Sequence, residues 1–195
     1  MHIHTLIHQW VSTYIRPGDH VLDATVGNGL DTLFLAHQVG EEGKVYGFDI
    51  QEEALARTCR LLQEAGMSER VQLFCAGHEA LDKWLPAAAW GNLAVAMFNL
   101  GYLPGGNKQI ITQPETTLLA LRKALRALRV QGFLSVVLYE GHAGGLEEAR
   151  LVRSFAAALP ADAFSVWYLH KLNTGGHPPS VLFIEKLKNV ELSNE

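Results

Sequence analysis

FSVWYLHKLNTGGHPPSVLFIEK, residues 164–186, holds two apolar, β-branched and aromatic runs, Phe164–Leu172 and Ser180–Lys186, with only the polar turn NTGGHPP between them. Runs of this length and composition read as strands. Parallel neighbours need a crossover of a dozen residues or so, which this turn cannot supply, so the two strands are antiparallel. The chain before them has a different rhythm. Apolar strands at His20–Ala24, Lys44–Asp49, Val71–Cys75, Leu93–Asn99 and Phe133–Tyr139 alternate with helical patterns near Asp31–Val39, Gln51–Ala65, His78–Trp84, Pro114–Arg129 and Leu146–Leu159. Such alternation builds parallel βαβ units with right-handed crossovers. The expected sheet therefore has five parallel strands and an antiparallel pair at one end.

Ahead of the first strand, Ile3, Leu6, Ile7, Trp10, Val11 and Tyr14 recur at helical spacing, which predicts an amphipathic helix over about residues 3–15, before Pro17-Gly18. A length of 195 residues with 48% hydrophobic content suits one core, so residues 1–188 are expected to form a single domain and 189–195 a frayed tail. The net charge of −4 argues against a general polyanion-coating protein while leaving a local basic surface open. Cys59 and Cys75 have no CxxC spacing and are expected to be packing thiols on a helix and a strand. No apolar run reaches membrane-spanning length and the N-terminus lacks a signal-peptide pattern, so the expectation is a soluble, cytoplasmic protein. His2, His4 and His8 lack further ligands at plausible spacing, so no metal site is expected.

The chemistry gathers at the strand ends. In HVLDATVGNGLDTLFLA, residues 20–36, an acidic residue (Asp23) ends a strand, Gly27 and Gly29 form a turn, and a helix follows. Glycine lets backbone approach a ligand, and a helix start offers free N–H groups to it. Asp23-x-x-x-Gly27-x-Gly29 resembles the first motif of S-adenosylmethionine-dependent methyltransferases, with Thr25 where a further glycine often sits. A dinucleotide GxGxxG reading fits less well, since it places Thr32 where a small residue should let helix and strand pack. The second strand ends at Asp49, about 20 residues on, where a carboxylate can accept hydrogen bonds from both ribose hydroxyls of an adenosine. Both cofactor classes share that feature. Asn28, Asp31, Ile50 and Gln51 border the same crevice, with Ile50 and Gln51 beside the expected adenine. Gly77-His78 opens the next helix on its other side; for His78 the competing reading is a helix start that only satisfies backbone groups.

The fourth strand and its exit, LAVAMFNLGYLPGGNK (93–108), carry Asn99, Gly101, Tyr102, Pro104, Gly105 and Gly106 in quick succession. A buried parallel strand should end in a loop at the ligand crevice. The Asn99 side-chain oxygen can accept a hydrogen bond from a substrate N–H there, and Tyr102 offers a ring for stacking on a base. The competing reading has Asn99 capping the loop and Tyr102 filling a surface groove.

Together, DATVGNGLDTLFLA, GFDIQ, FNLGYLPGGNK, YEGHAGGLEE and HPPSVLFIEK resemble, in order and over nearly the whole chain, the rRNA methylase family, which includes tRNA 5-(aminomethyl)-2-thiouridine methyltransferases. The resemblance implies an α/β, Rossmann-like class I methyltransferase fold: a seven-stranded, mostly parallel sheet with an antiparallel last strand and helices on both faces. It further implies S-adenosyl-L-methionine as cofactor and the anticodon region of tRNA as partner. The reaction it implies is methylation of the aminomethyl nitrogen on a wobble uridine. In that frame Asn99 orients the amine and Tyr102 stacks on or walls the pyrimidine, while Asp31, Tyr139 and His142 surround the transfer site. His142 is either a proton acceptor or a structural loop histidine. Asn107 stands where the family more often has aspartate, and Gly175-Gly176-His177 where asparagines are commoner. Arg122, Arg126 and Arg129, with Lys123, form either a phosphate-binding stripe or a solvated helix face. The residues leave open rRNA or a small amine as acceptor, an NAD-binding oxidoreductase, a non-catalytic RNA-binding module, and a homodimer through the N-terminal helix or the sheet edge.

Overall fold

The computed structural model describes residues 3–107 and 109–192, so His2 and Lys108 lie outside the described residues, as do the last three of the tail. Seven strands form one sheet: β1 (His20–Asp23), β2 (Lys44–Asp49), β3 (Val71–Cys75), β4 (Leu93–Leu100), β5 (Leu128–Leu138), β6 (Phe164–Leu169) and β7 (Ser180–Lys186). Their spatial order is β3-β2-β1-β4-β5-β7-β6. The first five strands pair in parallel. β7 runs antiparallel to both neighbours, inserted between β5 and β6. That insertion distinguishes the sheet from a dinucleotide-binding one, whose sixth strand lies directly beside the fifth.

Helices cover both faces. On one lie α1 (Ile3–Ser12), α2 (Leu30–Val39) and α3 (Glu52–Glu64), which bury Ile7, Val11, Leu35, Val39 and Leu62 against Val21, Val45 and Val95. On the other lie α4 (Leu81–Trp84), α5 (Pro114–Ala127) and α6 (Gly145–Ala157), burying Leu81, Leu121, Leu125 and Val152 against Leu22, Phe48 and Phe98. α5 starts with proline, whose missing N–H would have had no helical partner there. Its apolar positions 120, 121, 124 and 125 recur every turn on the buried side. The central strand β4 is buried along both faces, as a near-continuous apolar run requires.

Several local expectations change. β6 ends at Leu169 rather than Leu172, because beyond the edge strand no partner covers the chain and Leu172 stands almost fully exposed. The helix expected over His78–Trp84 divides into a 3-10 turn at His78–Ala80 and the single turn of α4. Arg129 lies in β5, where a positive φ at Gln131 marks the irregular start of the strand. Its guanidinium donates to both carboxylate oxygens of Asp19, at 2.6 and 3.0 Å, and to the Tyr14 carbonyl. Lys123 binds Asp82 and the Glu79 carbonyl, and Arg122 sits 4.9 Å over the Phe155 ring. Arg122, Lys123 and Arg129 of that basic run are thus each engaged in intramolecular contacts. Cys59 and Cys75 are exposed rather than packed, since Cys59 is on the solvent side of α3 and Cys75 ends the edge strand β3. In the tail, Val190 and Leu192 are partly buried against the core.

Candidate active site

The exits of β1, β2 and β4 meet at one end of the sheet. After β1 the chain turns through Gly27 and Gly29, at φ +54° and +78°, values that L side chains rarely adopt. The two glycines are needed for different reasons. A Cβ on Gly29 would stand 2.5 Å from the Thr58 hydroxyl oxygen of α3, so this glycine lets two helices pack. A Cβ on Gly27 would meet Leu103 at 3.5 Å and the Thr25 carbonyl oxygen at 3.8 Å, ordinary contacts, so here the left-handed φ alone asks for glycine. Asp49 ties the turn to β2 by accepting the Gly27 N–H at 2.8 Å and the Gln51 N–H at 2.9 Å. Each carboxylate oxygen keeps a second lone pair for a ligand hydroxyl. Ile50, beside it, is 57% exposed and supplies an apolar rim.

Other residues expected to line the crevice support it from behind. Asn28 donates to the Pro104 carbonyl at 3.3 Å and accepts from Arg57 at 3.2 Å, latching the turn to the β4 loop and α3. The Glu79 carboxylate lies over Gly77. His78 is buried, tilted against Phe98 and bonded to the Ala24 backbone, and burial pushes its imidazole pKa down, so it is a neutral packing group. Asp23 is wholly buried; it accepts the Thr32 hydroxyl at 2.6 Å and the Thr25 N–H at 3.2 Å. Burial first, and then the nearby Asp31 charge, push its carboxyl up to about 7.

The second half of the crevice is built from side chains. Thr25 accepts the Asn99 backbone N–H at 2.7 Å, which joins β1 to the β4 exit. The Asn99 Nδ2 donates to Asp31 Oδ2 at 2.7 Å, while its Oδ1 is buried without a partner. Asp31 Oδ1 meets His8 Nε2 at 2.7 Å, and His4 Nε2 meets the Tyr139 hydroxyl at 2.8 Å. Burial alone would raise Asp31. Hydrogen bonds from His8 and Asn99, with the positive charge available on His8 and His4, outweigh it and hold the carboxyl below its usual range. The Tyr139 phenol is pushed up to about 12 by burial and then by Asp31, so it stays neutral. His4 and His8, considered in the sequence only as metal ligands, are the functional candidates that reasoning missed. Their four-residue spacing on one face of α1 was the available signal, and among the described residues no group of three or more ligating side chains is placed to hold a metal.

His142 turns one ring nitrogen back to its own loop. Its Nδ1 is 2.9 Å from the Ala143 carbonyl, so that nitrogen carries the proton, and Nε2 is buried without a partner. A Cβ on Gly145 would lie 2.9 Å from Nε2 and one on Gly101 3.4 Å away. The ring therefore wedges the β4 and β5 exits together, with the Tyr102 ring edge-on at 5.8 Å. Tyr102 is 37% exposed and bridges to Ile111, which closes the loop after β4. Glu148 of α6 anchors that loop by accepting the hydroxyls of Thr112 and Thr117, at 2.6 and 2.7 Å.

The strand order and a crevice at the β1, β2 and β4 exits define the class I S-adenosylmethionine-dependent methyltransferase architecture. Residues 45–185 match the family model described as "Putative rRNA methylase", and the chain belongs to that family. It is similar to the tRNA (mnm(5)s(2)U34)-methyltransferase, chloroplastic, of Arabidopsis thaliana, with 42% identity over 90% of this chain. The chain spans 66% of that relative's length. A crystal structure of a "putative rRNA-methylase" from Clostridium thermocellum superposes with a TM-score of 0.91 at 40% identity, covering 95% of this chain and 98% of that one. A "putative methyltransferase" from Streptococcus mutans, solved in complex with SAH, superposes at 0.86 and 37% identity, covering 96% and 99%. Among the described residues no helix is long and apolar enough to cross a membrane.

Proposed function

We propose that this chain is an S-adenosylmethionine-dependent methyltransferase acting on the anticodon region of tRNA, where it methylates the aminomethyl nitrogen of wobble 5-aminomethyl-2-thiouridine to give 5-methylaminomethyl-2-thiouridine. The observation that carries the reading is the buried, unpartnered Asn99 Oδ1 beside the Asp31 carboxylate at the β4 exit. A buried acceptor without a donor is costly, and a ligand N–H removes the cost. The adjoining carboxylate favours a cationic nitrogen over a neutral ring atom. The printed name of the Arabidopsis relative supports the same acceptor, and the SAH-bound neighbour supports the cofactor.

The residues present fit that cofactor: a half-buried glycine turn at 27 and 29, a carboxylate at 49 with spare lone pairs, and the apolar Ile50 rim. When bound, the cofactor supplies a methyl group on a sulfonium, which a nitrogen lone pair attacks in line. The chain chiefly positions the partners. Asp49 and the Gly27 backbone hold the nucleoside end, Asn99 Oδ1 accepts an N–H of the amine, and Tyr102 offers its exposed ring to the pyrimidine. An alkyl amine is mostly an ammonium at neutral pH, so it must give up a proton to solvent before its lone pair can attack. Asp31, charged and adjacent, draws the ammonium to Asn99.

Mass spectrometry of tRNA nucleosides from cells with and without the gene tests this reading. Loss of the gene should replace the methylaminomethyl nucleoside with its aminomethyl precursor. An unchanged tRNA profile with a methyl missing from rRNA would transfer the activity to the substrate in the family's description.

A further inference from the structure

α1 has no part in the reading above, yet it delivers two imidazoles to the transfer half of the crevice. His8 is doubly constrained. Its ring stacks on Phe34 of α2 with centroids 3.8 Å apart and planes 2° from parallel, and its Nε2 is 2.7 Å from Asp31 Oδ1. The other Asp31 oxygen takes the Asn99 amide at 2.7 Å, and the Asn99 backbone is fixed by Thr25. An ionised carboxylate has only acceptor sites, so only the NH₂ side of an amide can face it. Oδ1 must then face away, where it is buried without a partner.

We propose that His8 is a positioning residue of the transfer site: through Asp31 it fixes where the Asn99 amide presents its oxygen to the acceptor nitrogen. The inference rests on the reading of the β4 exit as an amine-methylating site. Without the His8 N–H, Asp31 loses the contact that sets its carboxylate plane, and the Asn99 amide, tied to that carboxylate through its NH₂, swings with it. Oδ1 would then meet the amine out of place, and the nitrogen would sit out of line with the methyl group. A misplacement of about 1 Å costs on the order of 10²-fold in rate. The other titratable groups facing this chain of contacts are His4 from α1, Tyr139 at the β5 exit, and Asp23 behind Asp31 at the end of β1. Asp31 therefore gathers contacts from α1 and β4, and α1 belongs to the acceptor half of the site.

Two variants and one background separate positioning from simple support of the fold. His8→Phe keeps a ring to stack on Phe34 and removes the hydrogen bond, while His8→Gln restores an N–H donor. Turnover at saturating substrates should fall about 10- to 100-fold in His8→Phe and recover largely in His8→Gln, with cofactor affinity by calorimetry within about twofold of wild type in both. In an Asn99→Ala background, His8→Phe should cause no further loss, because residues acting as a unit are not additive. Equal losses in both backgrounds, undiminished turnover in His8→Phe, or parallel loss of cofactor affinity and turnover would each overturn the relay. The NMR signals of the Asn99 side-chain NH₂ give a readout that needs no substrate. They should be protected from solvent exchange in wild type and lose that protection in His8→Phe; unchanged protection sinks the inference. If wild-type protein transfers no methyl to aminomethyl nucleosides in tRNA, the functional reading fails, and the amide signals still decide whether His8 orients Asn99.

Discussion

The two halves of the crevice are built from different materials. The half at the β1 and β2 exits is mostly backbone: two left-handed glycines, a helix start, and one carboxylate that accepts two N–H groups of its own loops. The half at the β4 and β5 exits is a chain of side chains, His8, Asp31 and Asn99, with His4 and Tyr139 beside it, drawn from α1, α2, β4 and the end of β5. A backbone-built site follows from local sequence and tolerates change in its neighbours. A side-chain site depends on tertiary packing, and any member that moves misaligns the rest. Cofactor binding and acceptor positioning should therefore be separable by mutation.

The largest expected effect tests that separation. Asn99→Ala removes the acceptor of the amine N–H and should lower turnover about 10²- to 10³-fold, the usual cost of losing one preorganised polar contact, with cofactor affinity nearly unchanged. Asp49→Ala should do the opposite, weakening cofactor binding roughly 10- to 100-fold through lost hydrogen bonds to a charged group. Calorimetry and turnover measured on the same preparations check both. If each variant lost affinity and turnover alike, the two halves would form one site.

A smaller effect sharpens the comparison within the backbone half. Alanine at Gly27 or at Gly29 meets a left-handed φ, at a cost of about 1–2 kcal/mol. Only at Gly29 does the new Cβ also press on Thr58, adding roughly 1–3 kcal/mol of overpacking. Gly29→Ala should thus lower the urea midpoint clearly more than Gly27→Ala. Equal shifts would mean that Thr58 moves aside freely.

The difference in materials also governs how much was legible beforehand. The strand rhythm and the terminal hairpin gave the sheet and its antiparallel strand, because periodicity and connection length are local properties. Asp49 and the glycines were legible for the same reason. His8 was not, since nothing near it in sequence says that it meets Asp31, 23 residues on, and Asp31 in turn Asn99, 68 further. For His142 local sequence left a proton acceptor and a structural loop histidine both open, because the room its ring takes beside Gly101 and Gly145 is set by tertiary packing. Arg129 matched a helical stripe by spacing alone, and Asp19 drew it elsewhere.

The last effect concerns two aspartates that share a neighbourhood but respond oppositely to pH. Asp31 is held below its usual range, so the stability it contributes is present above about pH 4 and is lost as pH falls below that. Asp23 is pushed up from 3.8 to about 7, chiefly by burial and then by Asp31. Below about pH 4 Asp23 is protonated in both folded and unfolded chains and favours neither. Between about 4 and 7 the unfolded chain releases the proton while the fold retains it, so stability falls as pH rises, by at most about 1.4 kcal/mol per pH unit. Above about 7 both forms are ionised and the penalty stays constant. Asp23→Asn keeps an acceptor for Thr32 and removes the titration, so urea unfolding from about pH 4.5 to 7.5 should show the variant gaining on wild type as pH rises. A difference that stays flat across that window would show Asp23 already ionised in the fold, and the Thr32 and Thr25 contacts would then be strong enough to hold two charged carboxylates side by side at the end of β1.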